Sequence, residues 1–481
     1  MKKNNRVRIP LFLTFLTFAL LASSCGWFKP AREAEKEKVY TEEDLGDLQG
    51  TKVFDPETGE WRTVREVNEK VDTVQWKELP EKDFPPIMTD GAWSNTDNNN
   101  NGGSTPVVPG SGYDISIMLP FLANQASTSN IDANSYWAIH FYAGAKLAYQ
   151  NFAAAGINLN VTVSDTEGST GKMNNLLADN AAKNAEMIIG PYKRDNVKIA
   201  ESFSKKNKIP LIVPYTAQLG MAKANPNYIQ MNPSLESHCE AIAKHARAVY
   251  DTENITLVAQ DKPEEKERFT YFQQANANLM GTLKGSRFRE YVVKVDRNNQ
   301  YEIDVLPYIS QGKTSVFLVP SWSSESFIYS LLRALMIEQA KGENIVVYGM
   351  PMWIDFEQID YEFYQKLNVH VSSASYIDET DEKVRQFKRQ YFETYGTIPR
   401  EESYLGYDAL NYFGKMLQQY GKEFTQNIDR QPYDVLHGRF EFARIVLEPE
   451  KHKEDLNYFD QLENKFVHIL QFRDFQFQPV R

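Results

Sequence analysis

From Tyr113 onward, short apolar runs alternate with longer stretches in which apolar positions recur every three or four residues. DISIMLP, NLNVTVSD, EMIIG and IPLIVPY are the runs; YWAIHFYAGAKLAYQNF, MNNLLADNAAK and VKIAESFSKK lie between them. A run that stays apolar at consecutive positions leaves no face for water, so these runs predict strands of a parallel sheet covered on both sides by helices. In the first intervening stretch Tyr136, Ile139, Ala143 and Leu147 fall on one helical face, which predicts a stripe turned to the core. After SLESHCEAIAKHARAVY the alternation begins again, with NITLVAQ, REYVVKV, TSVFLVP and NIVVYG as strands and RFTYFQQANANLM and SFIYSLLRALMIEQA as helices. Two such series predict an α/β protein of two lobes separated by a cleft. The first lobe is expected over about 113–250 plus a late segment near 369–420, the second over about 251–368 plus the C-terminal strands. Ligands of open α/β sheets bind beyond the carboxyl ends of the strands, which directs attention to the loops after Leu119, Ile189, Val213, Ala259, Val319 and Tyr348.

The residues before Tyr113 have a different character. MKKNNRVR is cationic and LFLTFLTFALL is an eleven-residue apolar run, too short to span a bilayer as a mature helix, and the pair predicts a secretory signal over residues 1–24. From Lys29 to about Gly112 the charged run AREAEKEKVYTEED and the stretch NTDNNNNGGSTPVVPGSG are too polar to offset their ordering entropy by burial, and read as linker. Between them VFDPETGEWRTV carries turn residues flanked by strand-like pieces, a small hairpin that is marginal alone. The prolines of VDTVQWKELPEKDFPPI argue against helix there. A flexible coil of this length has an r.m.s. reach of ~50 Å and a full stretch of about 300 Å.

Composition narrows the function classes. The 481 residues are 42% hydrophobic with a formal net charge of -11, from 64 acidic and 53 basic side chains, a balance that disfavours nucleic acid as a partner. The two cysteines, Cys25 and Cys239, leave no internal disulfide once Cys25 is modified. No HExxH, Gly-x-Ser-x-Gly, CxxC or glycine-rich phosphate loop is present, so the chain is not expected to be an enzyme and no cofactor or metal is implied. His238, Cys239 and His245 share one predicted helix, where they read as flanks of a core stripe through Leu235, Ile242, Ala246 and Val249 rather than as metal ligands.

LASSCGW resembles the lipobox of bacterial lipoproteins, which implies acylation of Cys25 and anchoring of residues 25–112 as a tether; Gly26 after the cysteine, in place of aspartate, implies the outer membrane. DTEGS, EMIIGP, KKNKIPLIVPYT and YIQMNPSLESHCEAIAKHA resemble the first lobe of type I periplasmic binding proteins of the leucine/isoleucine/valine-binding branch. FETYGTIPREESYLGYDALNYFGKML is similar to that family's late helical segment, and RFEFARI and VHILQFRDFQFQPV to its terminal strands. The resemblance implies a two-lobed fold with a hinge and a small ligand held in the cleft. In the family's amino-acid binders, small hydroxyl residues follow the glycine of the IIGP corner and take the ligand carboxylate; here Tyr192, Lys193 and Arg194 stand there, while Thr216 and Gln218 follow the next strand. IIGPYKRDNV also resembles the corner of the outer-membrane lipoprotein activators of penicillin-binding proteins, which act by contact with a synthase.

Two readings of Tyr192, Lys193 and Arg194 stand side by side. Two cations at the start of a helix, with its free N–H groups, make an anion site for a carboxylate or phosphate; alternatively both chains face solvent and Asp195 compensates them. Ser321 and Trp322 of SWSSESF follow a second-lobe strand, where they either contact a ligand or serve a helix cap and the lobe interface. Met350 and Trp353 occupy the equivalent place after the next strand. The expected function is a membrane-anchored protein that binds a small, amino-acid-like or anionic ligand for ABC-type transport or sensing. The alternative is an envelope module that regulates a peptidoglycan synthase or scaffolds another complex.

Overall fold

The computed structural model describes residues 51–55, 60–64, 112–126, 131–280, 286–296, 300–455 and 457–480. The signal segment, Cys25 and most of the tether lie outside them. Two compact units are present, one within residues 1–100 and one within 101–481. In the first, Thr51–Asp55 and Glu60–Val64 form an antiparallel pair with Phe54 opposite Trp61.

The second unit carries two mixed sheets. The first has seven strands in the order Phe442–Ile445, Gln461–Asn464, Tyr228–Gln230, Leu211–Val213, Met187–Ile189, Tyr113–Leu119 and Leu159–Asp165. All neighbours are parallel except the first pair. Consecutive residues of these strands alternate between two cores. Ile115, Ile117, Leu119, Met187, Ile189 and Ile212 meet the helices Tyr136–Ala154 and Glu401–Tyr420. Met118, Ile188, Leu211 and Val213 meet Thr170–Ala178 and Arg194–Asn207. That double covering is why the strand sequences show no polar alternation.

The second sheet has eight strands, in the order Tyr301–Glu302, Arg289–Val295, Ile255–Gln260, Thr314–Leu318, Asn344–Gly349, Val369–Ser373, His468–Arg473 and Gln476–Pro479. Its central five are parallel and its margins antiparallel. The segment grouped above with the first lobe therefore divides. Val369–Ser373 belongs to the second sheet, while the helices Glu382–Tyr395 and Glu401–Tyr420 pack with the first lobe. The terminal strands divide too, Phe442–Ile445 and Gln461–Asn464 to the first sheet and His468–Arg473 and Gln476–Pro479 to the second. The chain thus passes between lobes within 231–234, 374–381 and 465–467. The helix Leu235–Val249 packs on the second lobe through Cys239, Ile242, Ala243 and Ala246.

The long first helix buries Ala138, Phe141, Ala145, Ala148 and Phe152. The stripe expected from Tyr136 is rotated away from this face: Tyr136 is 42% exposed, and of its four members only Leu147 is fully buried. The cause is the crossing with Glu401–Tyr420. A Cβ on Gly144 would lie 1.8 Å from the Ser403 carbonyl oxygen and one on Gly406 1.9 Å from that of Phe141, so two glycines set how closely and on which face the helices meet.

Two buried carboxylates tie together segments that are distant in the chain. Glu463 accepts from the Ser234 amide at 2.8 Å and the Ser237 hydroxyl at 2.6 Å, next to two of the interlobe crossings. Asp408 accepts from the amide of His437 at 3.1 Å and faces its Nδ1 at 2.5 Å. Among the described residues no helix is long and apolar enough to cross a membrane.

Candidate ligand-binding site

The strand Met187–Ile189 ends at Gly190, whose φ is +100° and whose peptide bond to Pro191 is cis. A Cβ at residue 190 would sit 2.2 Å from the Met118 carbonyl oxygen, so only glycine brings the corner this close to the neighbouring strand. The chain then turns into the helix Arg194–Asn207, with Lys193 as N-cap and no side chain capping it. Its first N–H groups are therefore left open toward whatever lies in front.

A second support comes from the end of Leu159–Asp165. The Asp165 carboxylate accepts from the amides of Phe121 (2.9 Å), Leu122 (3.2 Å), Ala123 (2.8 Å) and Glu167 (2.8 Å). One side chain thus fixes the loops after two adjacent strands. The loop carries Glu167 and Gly168 at positive φ, and a Cβ on Gly168 would lie 2.4 Å from Lys193 Nζ: the lysine lies across the bare glycine backbone. Asp165→Ala is expected to destabilise the protein by about 2–3 kcal/mol, the scale for hydrogen bonds to a charged group. Its effect on any ligand of the cavity described next should be larger than on the far lobe, and comparing ligand affinity with the urea midpoint measures this.

In front of the corner lies a cavity of about 690 Å³ lined by residues that follow four strands of the first sheet: Gly168 and Thr170; Tyr192 to Asn196; Tyr215 to Gln218; and Asn232. All four strands present their carboxyl ends, the edge at which open α/β sheets bind ligands. Of the residues singled out from sequence, Tyr192, Lys193, Arg194, Thr216 and Gln218 line this cavity together. Ser321 and Trp322 do not. Ser321 is fully buried, donating to Glu265 at 2.7 Å and accepting from Gln260 at 3.2 Å, and Trp322 stands edge-on to His238 with centroids 5.8 Å apart. Met350 and Trp353 are core residues, the indole N–H of Trp353 donating to the Ser321 carbonyl at 3.0 Å. The strand-end rule located this loop, but the buried Glu265 draws its hydroxyl inward.

One wall of the cavity is aromatic. Tyr192 and Tyr215 have ring centroids 4.0 Å apart, and Trp137 packs against both at 4.9 and 5.7 Å. Burial, with the hydroxyl interaction to Tyr215, pushes the Tyr192 phenol above its ordinary value, so it is a neutral hydrogen-bonding group at any physiological pH. Tyr215 is still 46% exposed and offers a ring face. Asn232 donates to the Tyr215 carbonyl at 3.0 Å and holds that loop in place.

The charges are unbalanced. Asp195 does not compensate Lys193 and Arg194; its ion pair is with Lys198 at 3.5 Å, and Glu167 pairs with Lys172 at 3.1 Å. Among the described residues neither Lys193 nor Arg194 has an ion-pair partner. Asn196 is 1% exposed, and among the described residues neither its amide nitrogen nor its amide oxygen has a hydrogen-bond partner. Sequence reasoning passed over Asn196, Gly168 and Thr170. A polar residue in a helical first turn reads as solvated, and the only signal for the other two was their place after a strand end.

A family model described as periplasmic binding protein matches residues 133–444. No curated protein matches the chain. Among solved structures, a candidate branched-chain amino acid ABC transporter protein from Rhodospirillum rubrum is similar at 18% identity and a TM-score of 0.56, over 77% of this chain and 100% of that one. A branched-chain amino acid ABC transporter periplasmic ligand-binding protein from Burkholderia xenovorans is similar at 12% identity and a TM-score of 0.50, over 77% and 94%. Full-length LpoA from Haemophilus influenzae also gives 12% and 0.50, but the match spans 59% of that longer chain. At these identities the likeness is one of fold.

Proposed function

Because the chain belongs to the periplasmic binding protein family, we propose that it is a solute-binding protein of the cell envelope that holds a small ligand at the first-lobe corner and closes its second lobe over it. The observation that carries this reading is the convergence of Tyr192, Lys193, Arg194, Thr216 and Gln218, from two separate strand ends, on one cavity with an uncapped helix in its wall. Contacts made only when both lobes approach stabilise the closed state, and the three crossing segments act as the hinge. The ABC transporter proteins of similar fold support a role in uptake or sensing. In this reading a lipid on Cys25 anchors the chain, probing the space within reach of its tether; Cys25→Ala is expected to move the protein from the membrane fraction to the soluble one.

Native mass spectrometry of the full chain purified without refolding, followed by denaturation, tests the binding. A stoichiometric small molecule, or a metabolite that raises the melting temperature, supports it. An empty protein indifferent to a metabolite panel overturns it. The second reading, a contact-acting envelope module, is favoured by the departure of the Tyr192–Lys193–Arg194 corner from the hydroxyl pattern of amino-acid binders and by the LpoA fold. In-cell crosslinking to a peptidoglycan synthase by the same empty protein would support that reading.

A further inference from the structure

We propose that the turn at 436–438 is a stay across the hinge, and that protonation of His468 in acid lets it go. The inference concerns how the two lobes are held; it goes beyond the solute-binding reading, and its test needs no ligand. The turn joins Tyr433–Val435 to Gly438–Phe440, an antiparallel pair carried by the first lobe, where Phe440 lies in one core with Phe413 and Leu462. Asp408, on the helix Glu401–Tyr420, fixes it: one carboxylate oxygen accepts from the His437 amide at 3.1 Å and faces its Nδ1 at 2.5 Å, and both residues are buried. From this anchor the chain reaches two of the three crossings. The Tyr376 amide, within 374–381, donates to the His437 carbonyl at 2.8 Å. The Lys465 amide, at the start of 465–467, donates to the Glu441 carbonyl at 2.8 Å, and Asn464 Nδ2 to that of Arg439 at 3.4 Å.

The turn also meets the second lobe itself. His468 opens the strand His468–Arg473 opposite Ser373, and a Cβ on Gly438 would lie 2.7 Å from its Nε2, so the ring is seated on bare glycine backbone. Rotation of the lobes about 374–381 and 465–467 carries His468 across that seat, and the seat and the Tyr376 hydrogen bond resist it together. The same Nε2 is buried and, among the described residues, has no hydrogen-bond partner. A neutral ring can leave a lone pair there, whereas a protonated ring puts an N–H and a charge in the same place. Burial holds His468 down to about 4, and His437 adds to this; the His437 carbonyl pulls the other way, less strongly than burial, and already accepts from Tyr376. The titratable groups around the ring are His437 on the turn, Asp408 behind it and Tyr376 on the crossing, with Asp378, Glu379 and Arg473 acting on Tyr376. Once the stay is released the ring meets water and titrates near its ordinary ~6.5. The released form therefore binds the proton more tightly, and it gains population as the pH falls from about 6.5 to 4.

The test is hydrogen exchange read by mass spectrometry on the full chain between pH 7 and 5, with each protection factor corrected for the intrinsic exchange rate. Peptides spanning 374–381 and 465–467 should lose protection at least about tenfold over that range, the linkage of one histidine proton, and should lose more than the core strand Ile255–Gln260. His468→Gln should abolish the extra loss in the hinge peptides. His370→Gln should leave it, because His370 is also held down to about 4 but stacks on Tyr348. Equal losses in hinge and core peptides overturn the proposal, since acid then acts on the whole fold, and that comparison needs no variant. Persistence of the extra loss in His468→Gln, or its disappearance in His370→Gln, overturns the assignment to His468.

Discussion

Alanine at Gly144, or at Gly406, is expected to destabilise the first lobe by about 3 kcal/mol or more, the upper end for overpacking. The sign is what makes the experiment informative. In an ordinary helix interior Gly→Ala is stabilising by ~1 kcal/mol, because alanine loses less backbone freedom on folding. Here each new methyl would fall within 2 Å of a carbonyl oxygen of the facing helix, Ser403 in one direction and Phe141 in the other. Backbone oxygens cannot rotate aside as a side chain can, so the helices Tyr136–Ala154 and Glu401–Tyr420 must separate and open the core around Phe141, Ala145, Leu410 and Phe413. Urea denaturation of each variant measures the effect. A midpoint above that of the unchanged protein would show that the helices are not held at glycine contact distance. The two substitutions strike one crossing, so the double variant should lose less than the sum of the singles.

Lowering the pH from about 6.5 to 4.5 is expected to cost the fold roughly 2 kcal/mol for each of three histidines whose protonation the folded state opposes. Burial holds His238, His370 and His468 down to about 4. In the unfolded chain they take up protons near their ordinary value of ~6.5. Between those limits the unfolded state binds more protons than the folded one, so stability falls as pH falls and the slope ends near 4. Most carboxylates titrate below about 4.5, which leaves the upper part of the window to the histidines. His370 stacks on Tyr348 with centroids 4.7 Å apart and gives its Nδ1 to the Asn368 carbonyl at 2.9 Å; His468 packs edge-on to Phe466 with centroids 4.8 Å apart. Urea midpoints recorded in steps from pH 7.5 to 4.5 test the slope. A flat profile would mean that the rings are hydrated in solution, and His370→Gln should make the slope shallower.

The strands were legible wherever both faces of a sheet are covered. ISIML, MII, LIV and ITLVAQ show their place by leaving no polar alternation, and the paired series showed two lobes. The distribution of the last strands was not legible, and QLEN shows why. Gln461, Leu462, Glu463 and Asn464 are all buried, yet three of the four are polar and resemble loop. Their burial depends on partners far along the chain, such as Ser234 and Ser237 for Glu463 and Gln230 for Gln461. At the cavity, Tyr192 to Arg194, Thr216 and Gln218 were singled out because strand ends direct attention to their loops, while Gly168 and Thr170, after another strand end, were passed over. Asn196 was missed because its distinguishing property is the lack of a partner, which only the packed environment reveals.

The division of the terminal strands has a consequence for how the chain is made. Gln461–Asn464 fills the place between Phe442–Ile445 and Tyr228–Gln230 in one sheet, and His468–Arg473 the place between Val369–Ser373 and Gln476–Pro479 in the other. A polypeptide emerging from its N-terminus thus has both β-sheets incomplete until residues 461–479 appear, with Tyr228–Gln230 and Val369–Ser373 each an open edge from its own synthesis until then. Neither half can finish ahead of the other. Any holding factor that keeps the nascent protein from aggregating must stay on it through the last step, and a shortened product ending before residue 461 should be cleared by proteolysis rather than survive as a working first lobe.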